Sequence, residues 1–468
     1  MSGKPSVLGV CLVVLAGALL PVDAASGTAT QDADAAPPAP LVTPVLSPRR
    51  VPEFLASGTA DAQARAALQP LLDQALPNTC IVVTDHGRVV VDQGPDVLEP
   101  ASTIKLLTAI AVLEILDPDA RLRTTAAART APSDGVVEGD LYLVGGGDPL
   151  LTTPGYEVSF INRDQLKNDF AGLADAIVAT GVREVRGGVV GDDSRYDSER
   201  WVATWPERYR NQGFVGPLSA LMVNDGQTGY STAPDTATTR RLPGDSPVLA
   251  AETLRTLLVD RGVRVAGGAS AGTAPDGSTE IAALDSLTIR ELVAQMLIES
   301  DDTTAELLTK EVGLQVSGTG STAAGSGAIV ARLAAVGLPT TGLIMNDGSG
   351  LDEGNRVSCH LLAAVLDRAG PESELADLLP IAGENGTLRP RMRRTPAEGR
   401  VAAKTGTLDF VNALAGYAQT DDGSWLTFVY NVVGPEQPRG YVPVDEFVIG
   451  LVGLPGGPDV EQLAPKQP

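Results

Sequence analysis

The 468-residue chain predicts an α+β fold, a largely antiparallel sheet bracketed by helices, with a large β-rich insertion between its two halves. Three observations carry that expectation. The last third alternates as strands in "GRVAAKTGTL", "NALAGYAQT" and "SWLTFVYNVVG". A second pair of β-branched runs, "TCIVVTDHGRVVVDQG", lies near the start. Between them stand helix-period segments and, in the middle, several short strand-like pieces. A chain of this length exceeds one simple core, so two or three domains are expected.

The N-terminus reads "MSGKPSVLGVCLVVLAGALLPVDAASG": one lysine, an apolar run from Val7 to Leu20, then Pro21 and a small-residue cleavage pattern ending at Ala24. Residues 1–24 are therefore expected to be a secretory signal, too short for a membrane span, with an uncleaved anchor as the alternative. Residues 25–52, rich in Ala, Pro, Thr and Asp, predict a flexible tether, and residues 455–468 a similarly loose tail. The expected location is outside the cytoplasm: the periplasmic or cell-wall space or the medium, with loose membrane association allowed.

Net charge is −23 and the sequence pI is near 4.5. Sequence-independent nucleic-acid binding needs a basic face, so no nucleic-acid partner is expected. The one dense basic run, "RPRMRR" from Arg389 to Arg394, is read as a solvated loop.

Element by element, Asp85-His86-Gly87 joins the first two runs as a hairpin turn. "EPASTIKLLTAIAVLEIL" follows, and from Ala101 to Leu116 it is apolar nearly all round, which predicts a buried helix ending at Asp117-Pro118. Strand-like pieces come next: "GDLYLVGGGDPLL", "EVRGGVVGDDS" and "GPLSALMVNDG". "DSPVLAAETLRTLLVDRG" reads as a helix, and "VRVAGGASAG" as a further strand piece. Thr288 and Glu291 form a capping box ahead of "LVAQMLIE". Ser300-Asp301-Asp302 then breaks that helix before "TTAELLTKEVG" starts another.

After cleavage of the leader, Cys80 and Cys359 remain. They are either a disulfide or two separate core thiols. Two cysteines and two distant histidines build no zinc framework, so neither a metal nor another cofactor is expected.

The chemistry begins with Lys105, a cation inside a core helix, one turn after Ser102. Three residues apart, the two side chains share a helix face. A buried ammonium is costly, and desolvation favours the neutral amine, which can take a serine proton. His86 in the hairpin turn and His360 beside Cys359 occupy no triad context and are read as structural. Lys404-Thr405-Gly406-Thr407 closes a strand pattern, where Gly406 admits close backbone approach and the lysine and threonine groups suit a carboxylate. "LVGGGDPL" lacks the following Lys-Ser/Thr and helix of a phosphate loop and is read as a tight turn. "NDGSG", Asn346 to Gly350, borders the cleft or serves a loop.

Singly these motifs are weak. In order, Ser102-x-x-Lys105, Ser300-x-Asp302 and Lys404-Thr405-Gly406 resemble the Ser-x-x-Lys, Ser-x-Asn and Lys-Thr-Gly set of active-site serine penicillin-recognising enzymes. With "GDLYLVGGGDPLL", "NDGSGLDEGNRVS" and "LPIAGENGTLRPRMRRTPAEGRVAAKTGTL", the chain resembles the D-alanyl-D-alanine carboxypeptidase/endopeptidase family, the class C low-molecular-mass penicillin-binding proteins, over roughly residues 53 to 454. Ser102 and Ser300 lie 198 residues apart, a spacing that fits a family with domains inserted there.

The resemblance implies a penicillin-binding transpeptidase/β-lactamase-like catalytic domain in two parts, 53–125 and 283–454, around an insertion at 126–282. It implies Ser102 as nucleophile, Lys105 as acylation base and Ser300 as proton relay. Asp302, Lys404, Thr405, Gly406 and Thr407 would bind substrate, and the backbone N–H groups of Ser102 and Thr407 would stabilise the oxyanion. The expected activity is hydrolysis of D-alanyl-D-alanine bonds in peptidoglycan stem peptides, as carboxypeptidase, endopeptidase or both, with β-lactams as covalent inhibitors. A β-lactamase, or a non-catalytic wall-binding protein of the same fold, is the alternative. One position departs from the family pattern: Asp302 stands where asparagine is usual, and an ionised carboxylate accepts hydrogen bonds but donates none.

Overall fold

The computed structural model describes residues 47, 49, 52–160, 162, 164–212, 214–228, 242–435, 442–454 and 460–463. The expected signal, nearly all of the tether and most of the tail lie outside the described residues. Among the described residues, no helix is long and apolar enough to cross a membrane.

Both ends of the chain meet in one antiparallel sheet of five strands. In spatial order these are Val401–Leu408, Val411–Gln419, Trp425–Val433, Thr79–Asp85 and Arg88–Gln93. The first hairpin turns at His86 and Gly87, both at positive φ, the backbone that two-residue hairpin turns require. Strand Val411–Gln419 is buried at all but its last residue, because helices cover both faces of the sheet.

One covering layer is the buried helix Lys105–Ile115, with Ile289–Ile298, Asp302–Ser317 and Cys359–Ala369 around it. Leu106, Leu107 and Val112 are fully buried, and each such side chain contributes roughly 1.5–3 kcal/mol on leaving water. That burial on every side explains why the segment carries no amphipathic stripe. The other layer sets Pro52–Leu72 and Val442–Val452 against Phe428 and Tyr430. Thr288 and Glu291 form the expected reciprocal capping box. Cys80, on the second-last strand of the sheet order, is disulfide-bonded to Cys359 at the start of a covering helix.

The β-rich inserted region builds a second five-stranded sheet, ordered Ala269–Ala271, Val189–Asp192, Leu141–Val144, Arg121–Ala128 and Thr279–Thr288. The first three run parallel, Arg121–Ala128 runs antiparallel to both of its neighbours, and helices Ala171–Ala179 and Ser246–Asp260 fill the core beside them. Arg121–Ala128 and Thr279–Thr288 pair along their length and carry the chain into the region and out again.

Three local expectations change. "GPLSALMVNDG" forms no strand; it is a buried irregular segment in which Leu221 and Met222 are inaccessible to solvent, so its apolar alternation reflects packing on two sides. The basic run is not simply a solvated loop, since Arg391 is buried and ion-paired to Asp445 at 2.5 Å. The three glycines of "LVGGGDPL" serve close packing rather than a tight turn alone. A Cβ at Gly145, Gly146 or Gly147 would collide with Ala220, Arg123 or Tyr196 respectively.

Candidate active site

Ser102 lies in a 3₁₀ turn, Ala101–Ile104, that runs directly into the helix Lys105–Ile115. The turn is entered through Ala101 at φ 45°, a left-handed backbone uncommon for a residue with a Cβ. Gly350 makes room for it, since a Cβ there would strike the Ala101 carbonyl. Ser300 is also left-handed, at φ 58°, so two strained positions flank one site.

Lys105 is fully buried, and its Nζ donates to three oxygens: Ser102 Oγ at 3.0 Å, Asp302 Oδ1 at 2.6 Å and the Ser349 carbonyl at 2.5 Å. Asp302 is delivered by the helix Asp302–Ser317, whose N-cap is Asp301, with Oδ1 accepting the Thr304 N–H at 3.0 Å. Burial pushes the Asp302 carboxyl above its usual range, and the Lys105 charge opposes that shift.

The facing edge strand, Val401–Leu408, supplies the other half. Lys404, also fully buried, donates to Ser300 Oγ at 2.8 Å and to the Thr405 carbonyl at 2.8 Å. Burial, then the nearby Lys105 charge, hold its amine well below the ordinary lysine range. Thr405 Oγ1 meets Thr387 Oγ1 at 3.0 Å, and Thr407 is exposed to the cleft side of the strand end. A Cβ on Gly406 would lie 2.8 Å from the Pro100 carbonyl and 3.2 Å from Thr103 Cγ2. The missing side chain lets the strand press against the turn that carries Ser102.

Ser102, Ser300, Asp302, Thr405 and Thr407 line one cavity of about 560 Å³, and the buried Lys105 and Lys404 lie behind its wall. Tyr156 and Gln227 of the inserted region line it as well. His86 is exposed in its turn and His360 pairs with Asp92 at 3.2 Å; neither lines the cavity. Among the described residues no group of His, Cys, Asp and Glu is arranged to hold a metal ion.

Several contributors escaped the sequence reading. Glu306 and Asp347 are buried beneath Lys105, and Thr387 stands across from Thr405. "NDGSG" reads either as a border of the cleft or as a loop, and nothing local marks its Ser349 carbonyl as a partner of Lys105. Glu306 follows Asp302 by four residues, a spacing that places both on one helix face.

A serine hydroxyl hydrogen-bonded to a buried lysine, with a second serine–lysine pair across a cleft, defines an active-site serine hydrolase of the penicillin-recognising type. Comparison with known proteins agrees. The profile of the D-Ala-D-Ala carboxypeptidase 3 (S13) family matches residues 60–247 and 240–445. Carboxypeptidase DacB of Mycolicibacterium smegmatis is 34% identical over 451 residues, covering 92% of each chain. A D-alanyl-D-alanine carboxypeptidase of an Actinomadura species is 30% identical over 436 residues, covering 77% of this chain and 78% of its own. Among solved structures, penicillin binding protein 4 of Haemophilus influenzae superposes with a TM-score of 0.69 at 20% identity, covering 82% of this chain and 98% of that one. The chain belongs to the D-Ala-D-Ala carboxypeptidase 3 (S13) family and is a serine-type D-Ala-D-Ala peptidase.

Proposed function

We propose that this serine D,D-peptidase of peptidoglycan works through an acyl-enzyme on Ser102, with Lys105 as the base. The observation that carries the reading is the 3.0 Å contact between Lys105 Nζ and Ser102 Oγ. A serine hydroxyl needs a base before it attacks a carbonyl, and no histidine stands near it. In its neutral form Lys105 has two N–H bonds and one lone pair. Asp302 and the Ser349 carbonyl take the two N–H bonds, so the lone pair faces the Ser102 hydroxyl.

The Ser102 oxygen then bonds to the carbonyl carbon of the penultimate D-alanine, and its proton passes to Lys105. Backbone N–H groups of Ser102 and Thr407 receive the oxyanion. As the C–N bond breaks, the Ser300 hydroxyl, joined to Lys404 at 2.8 Å, acts as a relay: it gives its proton to the leaving amine and takes in its place the one that Lys105 received from Ser102. Lys404, Thr405 and Thr407 hold the terminal carboxylate, with Gly406 keeping their strand against the nucleophile turn. Water completes the cycle by hydrolysing the ester. A β-lactam acylates the same oxygen and leaves no separate amine product.

The cavity continues past Ser300 toward Asn162 and Gln295. A leaving group longer than one D-alanine fits this extension, so endopeptidase action on crosslinks is assigned beside carboxypeptidase action. The catalytic unit is taken as 53–125 with 283–454, the insertion as 126–282, and the 121–128/279–288 strand pair as the stalk between them. Export to the wall side rests on the leader pattern, and the Cys80–Cys359 disulfide fits an oxidising compartment.

The test is incubation with defined muropeptide monomers and crosslinked dimers, products read by mass spectrometry, beside mapping of a labelled penicillin. Release of D-alanine from monomers and cleavage of dimers, with the adduct on Ser102, is expected. An adduct on another serine would overturn the nucleophile. Rapid turnover of the adduct with inert muropeptides would make the protein a β-lactamase, and no adduct at all a non-catalytic wall-binding protein.

A further inference from the structure

The base of this site is held by a loop, and the loop is held by a carboxyl group that touches neither Lys105 nor substrate. The Ser349 carbonyl accepts from Lys105 Nζ at 2.5 Å. Behind it, Glu306 Oε1 accepts the backbone N–H groups of Gly348 at 3.0 Å and Ser349 at 2.8 Å. Glu306 is fully buried, one helical turn beyond Asp302 on Asp302–Ser317. The same helix therefore grips the base twice, directly through Asp302 and indirectly through Glu306 and the loop.

The loop has little freedom elsewhere. Asp347 accepts the N–H groups of Gly350 at 2.9 Å and Asp352 at 2.7 Å, and Trp205 Nε1 donates to it at 2.7 Å. Thr108 Oγ1, on the helix of Lys105, donates to the Gly348 carbonyl at 2.8 Å. A Cβ at position 348 would collide with Thr309 Oγ1. These contacts seat the loop, but only Glu306 takes the N–H of Ser349, the residue whose carbonyl meets Lys105.

We infer that Glu306 is a positioning residue of the acylation step: as a paired N–H acceptor it aims the Ser349 carbonyl at Lys105 and so points the amine's lone pair at Ser102. The inference rests on Lys105 being the base. What the loop requires of Glu306 is an acceptor oxygen at that place, not a negative charge. Burial and the adjacent Asp347 carboxyl, which raise its pKa, already favour the uncharged acid.

Two variants separate acceptor from charge. Glu306→Gln keeps an acceptor oxygen at the same reach and cannot ionise; Glu306→Asp keeps an ionisable carboxyl but withdraws the acceptor by one methylene. Acylation by a chromogenic β-lactam is followed to saturation in the full-length protein, alongside Lys105→Ala, with circular dichroism confirming folding. The saturating acylation rate of Glu306→Gln is expected to exceed that of Glu306→Asp by roughly tenfold or more, the scale of a base misaligned by about an ångström, while the dissociation constant of the initial complex changes little. Glu306→Asp equal to or faster than Glu306→Gln, beside an inert Lys105→Ala, overturns the positioning role alone. Near-wild-type acylation by Lys105→Ala overturns the base and the positioning role together. A change confined to the dissociation constant shows that Glu306 shapes the cleft and also overturns the inference.

Discussion

Lys105 Nζ stands 2.6 Å from Asp302 Oδ1, closer than to the Ser102 hydroxyl at 3.0 Å. The carboxylate that replaces the family's usual asparagine is therefore the nearest side-chain partner of the base. The two are held as an ion pair by the attraction of opposite charges.

Asp302→Asn removes that attraction and restores a donor toward the cleft. Acylation is expected to become faster at neutral pH, with the rising limb of its pH profile moving down. Rates from mildly acidic to mildly alkaline pH check it. An unmoved limb would show that Asp302 does not govern the protonation of the base.

Lys105→Ala should lower acylation by ~10²–10⁴-fold, the usual contribution of a positioned general base. The cavity left by a buried side chain also costs stability, so thermal melting accompanies the rate measurement. A folded variant that acylates at the wild-type rate contradicts the assignment.

Gly406→Ala places a methyl group 2.8 Å from the backbone oxygen of Pro100, which cannot swing aside as a side chain would. The strand must shift from the nucleophile turn, at a cost of roughly 1–3 kcal/mol. Slower acylation together with a lower melting temperature is expected. An unchanged acylation rate would mean that the seating of this strand on Pro100 does not matter.

Glu306 also predicts a pH dependence of stability. Burial first, then Asp347, push its carboxyl from 4.5 up to about 8. Between those values the folded state holds a proton that the unfolded state has lost, so stability falls as pH rises through this window. Above about pH 8 both states are ionised and the loss is complete. Glu306→Gln should therefore melt with a flatter pH dependence than wild type between about pH 5 and 8, with its advantage growing toward pH 8. Parallel melting curves across that range would refute the shift.

The amino-acid sequence by itself determined the local features: the Ser102–Lys105 spacing on one face, the Thr288–Glu291 capping box, the hairpin at His86-Gly87 and the three closing strands. Each is a relation between residues within one element, where backbone periodicity and turn chemistry decide the outcome. The same locality made the order of the motifs legible, and with it the family. Whether Cys80 meets Cys359 was open to either answer, because 279 residues separate them and only the packing of helix on sheet brings them together. The buried side of the basic run was hidden for a similar reason, since Arg391 finds Asp445 54 residues away. Tertiary structure alone decided what surrounds Lys105. Asp302 lies 197 residues from it in sequence and Ser349 lies 244, and the second contact is through a backbone carbonyl, a group every residue possesses. No side-chain pattern can announce such a partner; it exists because Glu306 and Asp347 hold the loop where the lysine ends.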